Sequence, residues 1–286
     1  MALSNSTTLN DLVGQIVSDQ AVTAAYSTRV ARPIISGRVV PPGNNSIVIP
    51  KWQSVAVASL TEGVAPSSTA MSTDGLTLTP TERGVYVEIA KHTLYADPWQ
   101  DLAPYGDQLG RAMAQDEDSL VFAAMSAGFT NIINPAADAL TISDFQTALA
   151  KLEASNAPGP YFGVFHPYSW AKLRAGLSDA SAFANVGRQT VEGFGPGFTN
   201  SAGYVGSPYG VPCFVSSQVP TIDDTVDYRK NFVFSQQSFA AAWMNDIRID
   251  VDDNVVGRKI DLMAWYTVDV DVLRDEWAVA VHDTLA

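Results

Sequence analysis

Two strand-patterned segments joined by a turn-rich connector constrain this chain more than any other feature. Residues 46–60 hold Ile47 to Ile49, Val55 and Val57. Residues 76–90 alternate Leu76 and Leu78 with Thr77 and Thr79, then Val85, Val87 and Ile89 with Tyr86, Glu88 and Ala90. Such period-2 alternation marks half-buried strands. The connector, Thr61 to Gly75, is rich in Ser, Thr, Gly and Pro, so the two segments read as one hairpin. Arms of about fifteen residues at ~3.3 Å each reach ~50 Å. A compact globule of this chain's 286 residues has a radius of gyration of roughly 19 Å. The ribbon therefore cannot lie wholly on its own core, and a two-stranded ribbon alone in water is marginal. It needs a neighbouring molecule to rest on.

The flanking segments read as follows. Leu9, Leu12, Val13, Ile16 and Val17 share one helical face, capped by Thr8. Pro33, Gly37, Pro41, Pro42 and Gly43 then keep residues 31–45 extended, so the start of the chain is a short helix on an arm. A long helix starts between residues 98 and 104, with Asp97 and Pro98 as its first signals, and stops at Gly128. Its stripe of Leu102, Tyr105, Leu109, Met113, Leu120 and Ala124 is broken by Asp116 and Glu117. Residues 141–235 read as an α/β unit: a Ser143/Gln146 capping box, a buried strand at 161–165, a helix opened by Pro167, a glycine loop over 187–203, and strands at 211–215 and 232–234. Alternation then returns in Ile247 and Ile249, in Val268, Val270 and Val272, and in Trp277, Val279 and Val281. That pattern predicts a sheet with one wet face and one covered by the long helix.

Composition narrows the function. Lys plus Arg number 17 against 30 Asp plus Glu, a formal charge of −13. Duplex-binding proteins need a basic footprint, and an anionic membrane surface repels such a chain. No stretch approaches the ~20 apolar residues of a membrane span, and the start lacks the basic region and apolar core of a signal peptide. The lone Cys213 sits in the apolar run 211–215 and reads as a small buried hydrophobe. His92, His166 and His282 lack metal-ligand spacing. Asp250, Asp252, Asp253, Asn254 and Asp261 resemble a calcium loop, but Val255 stands where that loop needs glycine. Asp269 and Asp271 lie on the polar face of an alternating strand. Gly193 to Gly197 lacks the Lys and Ser/Thr of a phosphate loop. No cofactor or metal is expected. Arg29, Arg32 and Arg38 form the densest positive cluster, and carboxylates of a partner protein suit them better than nucleic acid.

The order of these elements resembles the major capsid proteins of tailed bacteriophages, the Hong Kong 97-type fold. Ile49-Pro-Lys51, Thr61 to Pro66 and Leu76 to Pro80 look like the outgoing strand, tip and return of that family's E-loop. Leu109 to Asp116 looks like its spine helix, and Val164 to Pro167 with Trp170 and Leu173 like the strand entering an A-domain helix. Gly203 to Gly206, Tyr209 to Pro212, Phe232 to Ser235, Ile247 to Asp250 and Val272 to Arg274 look like later A-domain and P-domain strands. The resemblance implies an α+β fold with an N-terminal arm (1–35), an E-loop hairpin (36–95), a spine helix (96–140) on an antiparallel P-domain sheet, an α/β A-domain (141–235) and P-domain strands (236–286). It also implies a shell subunit forming hexamers and pentamers around double-stranded DNA, located in the virion and made in a bacterial cytoplasm, with Gly37 and Gly43 as its flexible joints. Its partners would be copies of itself, a portal, a decoration protein, and a separate scaffold or none, since the chain starts at the arm. Candidate inter-subunit contacts are Arg29, Arg32, Arg38, Lys51, Trp52, Glu62, Arg83 and Glu88. Lys51 does not match the family's cross-linking lysine. Two alternatives stand beside this reading: an encapsulin-type bacterial compartment, and a metal-dependent α/β enzyme using Asp250, Asp252 or Asp269.

Overall fold

The structure is a computed structural model that describes residues 6–53, 55, 57, 59, 62, 63, 73–92, 103–134, 138–178, 202–223 and 227–285. Helix α1 spans Ser6–Thr28. Strands β1 (Ser36–Val39), β2 (Ile47–Trp52), β3 (Thr73–Leu78) and β4 (Thr81–Ala90) follow. Helix α2 (Ala103–Gly128) leads to β5 (Ile132–Ile133), α3 (Ile142–Ala154), β6 (Tyr161–Phe165) and α4 (Pro167–Ser178). Then come β7 (Tyr204–Gly206), β8 (Cys213–Val215), β9 (Thr221–Ile222), β10 (Tyr228–Ser235), β11 (Phe239–Asn254), β12 (Lys259–Val272) and β13 (Ala278–Thr284).

These elements make two sheets and a ribbon. One sheet runs β1-β11-β12-β4, with β1 parallel to β11 and the other pairs antiparallel. Its inner face carries Ile247, Ile249, Leu262, Ala264, Tyr266, Val268 and Val270, which share one core with Val17, Ala21, Leu109, Met113, Val121 and Phe122 of the two long helices. The other sheet runs β5-β13-β10-β6-β8-β7, with β9 paired to the start of β10. Phe232 and Phe234 of β10 face Phe129 at the end of α2, with ring centroids 5.7 and 6.0 Å away. The opposite face holds Val233, Val279 and Val281 against Phe145, Leu152 and Leu173 of α3 and α4. Fully burying each such side chain contributes ~1.5–3 kcal/mol. The 2-stranded ribbon pairs β2 with β3 in antiparallel register, Ile47 opposite Leu78 and Trp52 opposite Thr73.

The α+β architecture follows the sequence reading, and five local features depart from it. The ribbon's return arm ends at Leu78; β4 instead pairs with β12 along its whole length, Thr81 opposite Val268 and Ala90 opposite Lys259. Pro80 interrupts the run, and period-2 alternation is the same whether a strand pairs in a ribbon or in a sheet. Helix α1 has 23 residues and packs on its own chain, where Ala21 and Ala25 are fully buried. A face built from alanine carries little hydrophobic periodicity. Its fit depends on Gly106 of α2, where an added Cβ would sit 2.6 Å from the Val17 carbonyl oxygen, and on Gly110, which abuts Ala21 in the same way. The cap of α3 is Thr141 with Asp144, each side chain accepting from the other's backbone N–H, rather than Ser143 with Gln146. Strand β13 leaves the sheet of β11 and β12 and inserts between β10 and β5. Gly37, expected as a joint, lies flat under the Trp243 ring and leaves no room for a Cβ. Asp97, Leu102 and the 187–201 part of the glycine loop lie outside the described residues.

Candidate assembly surfaces

A buried polar clasp roots α1 in the body. Arg29 is 4% exposed; its Nε lies 3.0 Å from Glu117 Oε2 and its Nη2 donates to Asp246 Oδ1 at 3.0 Å. Arg32 donates to the same Asp246 oxygen at 2.6 Å and stacks over the Trp243 ring at 4.9 Å. Trp243 Nε1 donates to Glu117 Oε1, and the Tyr26 hydroxyl donates to Asp246 Oδ2. Asp118 accepts from the backbone N–H groups of Val30 and Ala31 at 3.0 and 2.8 Å. Burial alone would raise the Asp246 carboxyl, but the Arg32 hydrogen bond, the Ile247 N–H and the two guanidinium charges hold it well below the usual carboxylate range. Burial dominates at Asp118 and pushes it up to about 6 against its two N–H donors. Asp246 reaches both arginines because β11 bulges between Asn245 and Arg248, which re-aims the side chain.

The structure thus places Arg29 and Arg32 on carboxylates of their own chain. Arg38 is exposed on the edge strand β1, beside Val39 at 72% exposure. Arg83 pairs with Asp116 at 3.1 Å, and Asp116 also accepts from the Tyr266 hydroxyl. Glu88 and Lys259 pair on the open face of the four-stranded sheet, where Tyr86 donates to Glu88. Glu62 is exposed on the connector.

Lys51 and Trp52 sit at the ribbon's root. Lys51 lies 3.9 Å from Glu276, the Trp52 carbonyl accepts from Arg274, and the Thr79 N–H donates to Asp269 at 2.7 Å. Ile49 and Leu78 seat the inner face of the ribbon on Ala240 and Ala242. Its outer face does the opposite: Val48 is 58% and Trp52 55% exposed, and Val57 beyond them is 99% exposed. The turn joining β11 to β12 likewise presents Val256 at 97%. Four large apolar side chains on two projections are unsatisfied by this chain alone.

No reactive centre competes with these surfaces among the described residues, where no three His, Cys, Asp or Glu side chains gather in a metal-holding group. Asp250 accepts from Trp265 Nε1, Asp269 from Thr79, and Asp252 stands opposite Asp261, which pairs with Lys259. The turn after Asn254 is a hairpin turn between strands, closed by Gly257 N–H to Asn254 Oδ1. Cys213 is fully buried, and burial pushes its thiol up. Sequence reasoning missed Glu117, Asp118, Trp243 and Asp246. Three consecutive acids in an otherwise apolar helical stripe were the available signal.

The sequence matches the family described as phage capsid protein over residues 73–282. A search of curated proteins finds no match. Among solved structures, the chain is similar to the capsid of cyanophage P-SCSP1u, with a TM-score of 0.68 and 14% identity over 91% of this chain and 89% of that one. It is similar to the capsid of Ralstonia phage GP4, with a TM-score of 0.67 and 12% identity over 88% and 87%. The likeness extends to a virus-like particle from Pyrococcus furiosus, with a TM-score of 0.59 and 11% identity over 93% and 98%. These likenesses show the fold, and the family match shows the family.

Proposed function

The chain belongs to the phage capsid protein family, and on that premise we propose that its copies build the head shell as hexamers and pentamers enclosing a double-stranded DNA genome. It is a structural protein of the virion head, and the shell reading ranks above the bacterial compartment because the family match, not the fold alone, carries it. The exposed outer face of the β2–β3 ribbon and the tip of the β11–β12 hairpin support the finer reading. Both project apolar side chains that a second copy would cover, and many modest contacts repeated around a shell add up without any one being strong. Lys51, Trp52, Glu62 and Arg38 remain as contacts to a neighbour. Arg83 and Glu88 would join them through their exposed sides, while Arg29 and Arg32 act indirectly by fixing the arm. With 30 acidic against 17 basic residues, the chain contains DNA rather than reading its sequence. A portal, a separate scaffold and a decoration protein complete the proposed partners, with synthesis in the cytoplasm of a bacterial host. Sedimentation velocity on the purified chain, with negative-stain imaging of the fast fraction, tests the proposal. Closed particles or capsomer rings are expected. A monomer that persists with salt, crowding agent and any co-encoded scaffold would overturn it.

A further inference from the structure

His282 is the one buried histidine whose two ring nitrogens both lack a hydrogen-bond partner among the described residues. It is 4% exposed, and its ring stacks on Tyr228 with centroids 4.1 Å apart. In the β10–β13 pairing it stands directly opposite Lys230, so the two side chains leave the sheet on the same face. That face meets the end of α2: the Lys230 ammonium donates to the Ser126 carbonyl in the helix's last turn. A cation there complements the negative end of the helix dipole.

We propose that His282 and Lys230 form an acid-sensitive latch between the seven-stranded sheet and the C-terminal end of α2, in which a proton on His282 sets a second cation beside Lys230 and loosens the tie to Ser126. Among the described residues, no carboxylate hydrogen-bonds to the His282 ring. From β10 the group meets Tyr228 and Lys230; the last turn of α2, residues 123–128, carries no charged side chain; β5 offers Ile132 and Ile133. Asp283, next to it on β13, points to the opposite face, where Ser169 and Lys172 donate to it and Arg229 lies 3.7 Å away. Burial and the Lys230 charge together hold the His282 imidazole down to about 4, and burial also pulls Lys230 down. Histidines in such settings convert mild acid into a packing change. The response is local because His282, Lys230 and Ser126 meet at one junction, in which β11, β12 and the ribbon take no part.

Hydrogen exchange on the full chain tests this, read at about pH 7.5 and pH 4.5 and corrected for the intrinsic pH dependence of exchange. Peptides covering residues 126–134, 228–232 and 278–284 should lose protection at least tenfold in acid, while those covering 247–254 and 260–268 hold theirs. His282→Phe keeps a ring on Tyr228 and cannot take a proton, so it should keep protection at both pH values. If that variant fails to fold at neutral pH, His282→Leu reads the same loss of titration. Equal protection in the parent at both pH values, a uniform loss across the chain, or an unchanged acid response in the neutral variant would each overturn the latch.

Discussion

Asp118 sits where a carboxylate is held by two backbone N–H groups and penalised by burial, with its pKa pushed up to about 6 from 3.8. The folded chain therefore binds this proton more tightly than the unfolded chain does. Its contribution is most favourable below pH 4 and declines as pH rises from about 4 to 6, by on the order of 3 kcal/mol. Asp118→Asn should remove that slope, so the difference in unfolding free energy between parent and variant, measured by denaturant titration at several pH values, should fall across this window. Asp246 acts with the opposite sign: its depressed carboxyl contributes stability at neutral pH that is lost as pH drops below its unfolded value. Gly110→Ala adds a methyl group against the Ala21 carbonyl. It should cost about 1–3 kcal/mol in thermal or denaturant unfolding, despite alanine's better helix propensity. At this scale the sequence was least legible. Asp116 and Glu117 read as a break in a helical stripe and Asp118 went unnoticed, because distant partners, such as Val30 for Asp118 and Trp243 for Glu117, leave no local pattern.

Elements were more legible, because period and punctuation are local. The long helix, the strand at 161–165, the helix opened by Pro167 and the alternating C-terminal strands all appear where periodicity puts them. What periodicity could not assign was partnership. Val85, Val87 and Ile89 alternate identically whether they face a ribbon or a sheet, and Pro80 stands between the ribbon strand and the sheet strand. Helix α1 hid its length because its second half buries Ala21, Ala24 and Ala25. The candidate surfaces were legible in one respect, a ribbon expected from arms at 46–60 and 76–90, although its paired arms are only Ile47–Trp52 and Thr73–Leu78. The turn after Asn254 was legible as a solvated turn between strands, but the exposure of Val255 and Val256 on it was not. Trp52→Ala and Val256→Ser remove side chains that are 55% and 97% exposed, so each should leave the thermal midpoint of the unassembled chain nearly unchanged, within about 0.5 kcal/mol. If a neighbour covers them, the threshold concentration for particle formation should rise about tenfold or more for Trp52→Ala, as light scattering would report.

At the scale of the whole molecule, a formal charge of −13 on each copy opposes assembly. Raising salt from about 0.05 to 0.3 M shortens the screening length, so turbidity or light scattering should show faster particle formation. Pairing that spans the chain also sets an order of events. β1 waits for β11, some 200 residues later, and β10 waits for β13 before its second edge is filled. During synthesis at roughly 5–20 residues per second, the strand at 228–235 is exposed for seconds before residues 278–284 emerge. Until then Phe232 and Phe234 lack part of their cover and Leu140 lacks the Asp283 carboxylate that receives its N–H. A nascent chain still on its ribosome therefore presents an unfinished sheet. Without β13, β5 loses the strand that ties it to this sheet and one edge of β10 stays open.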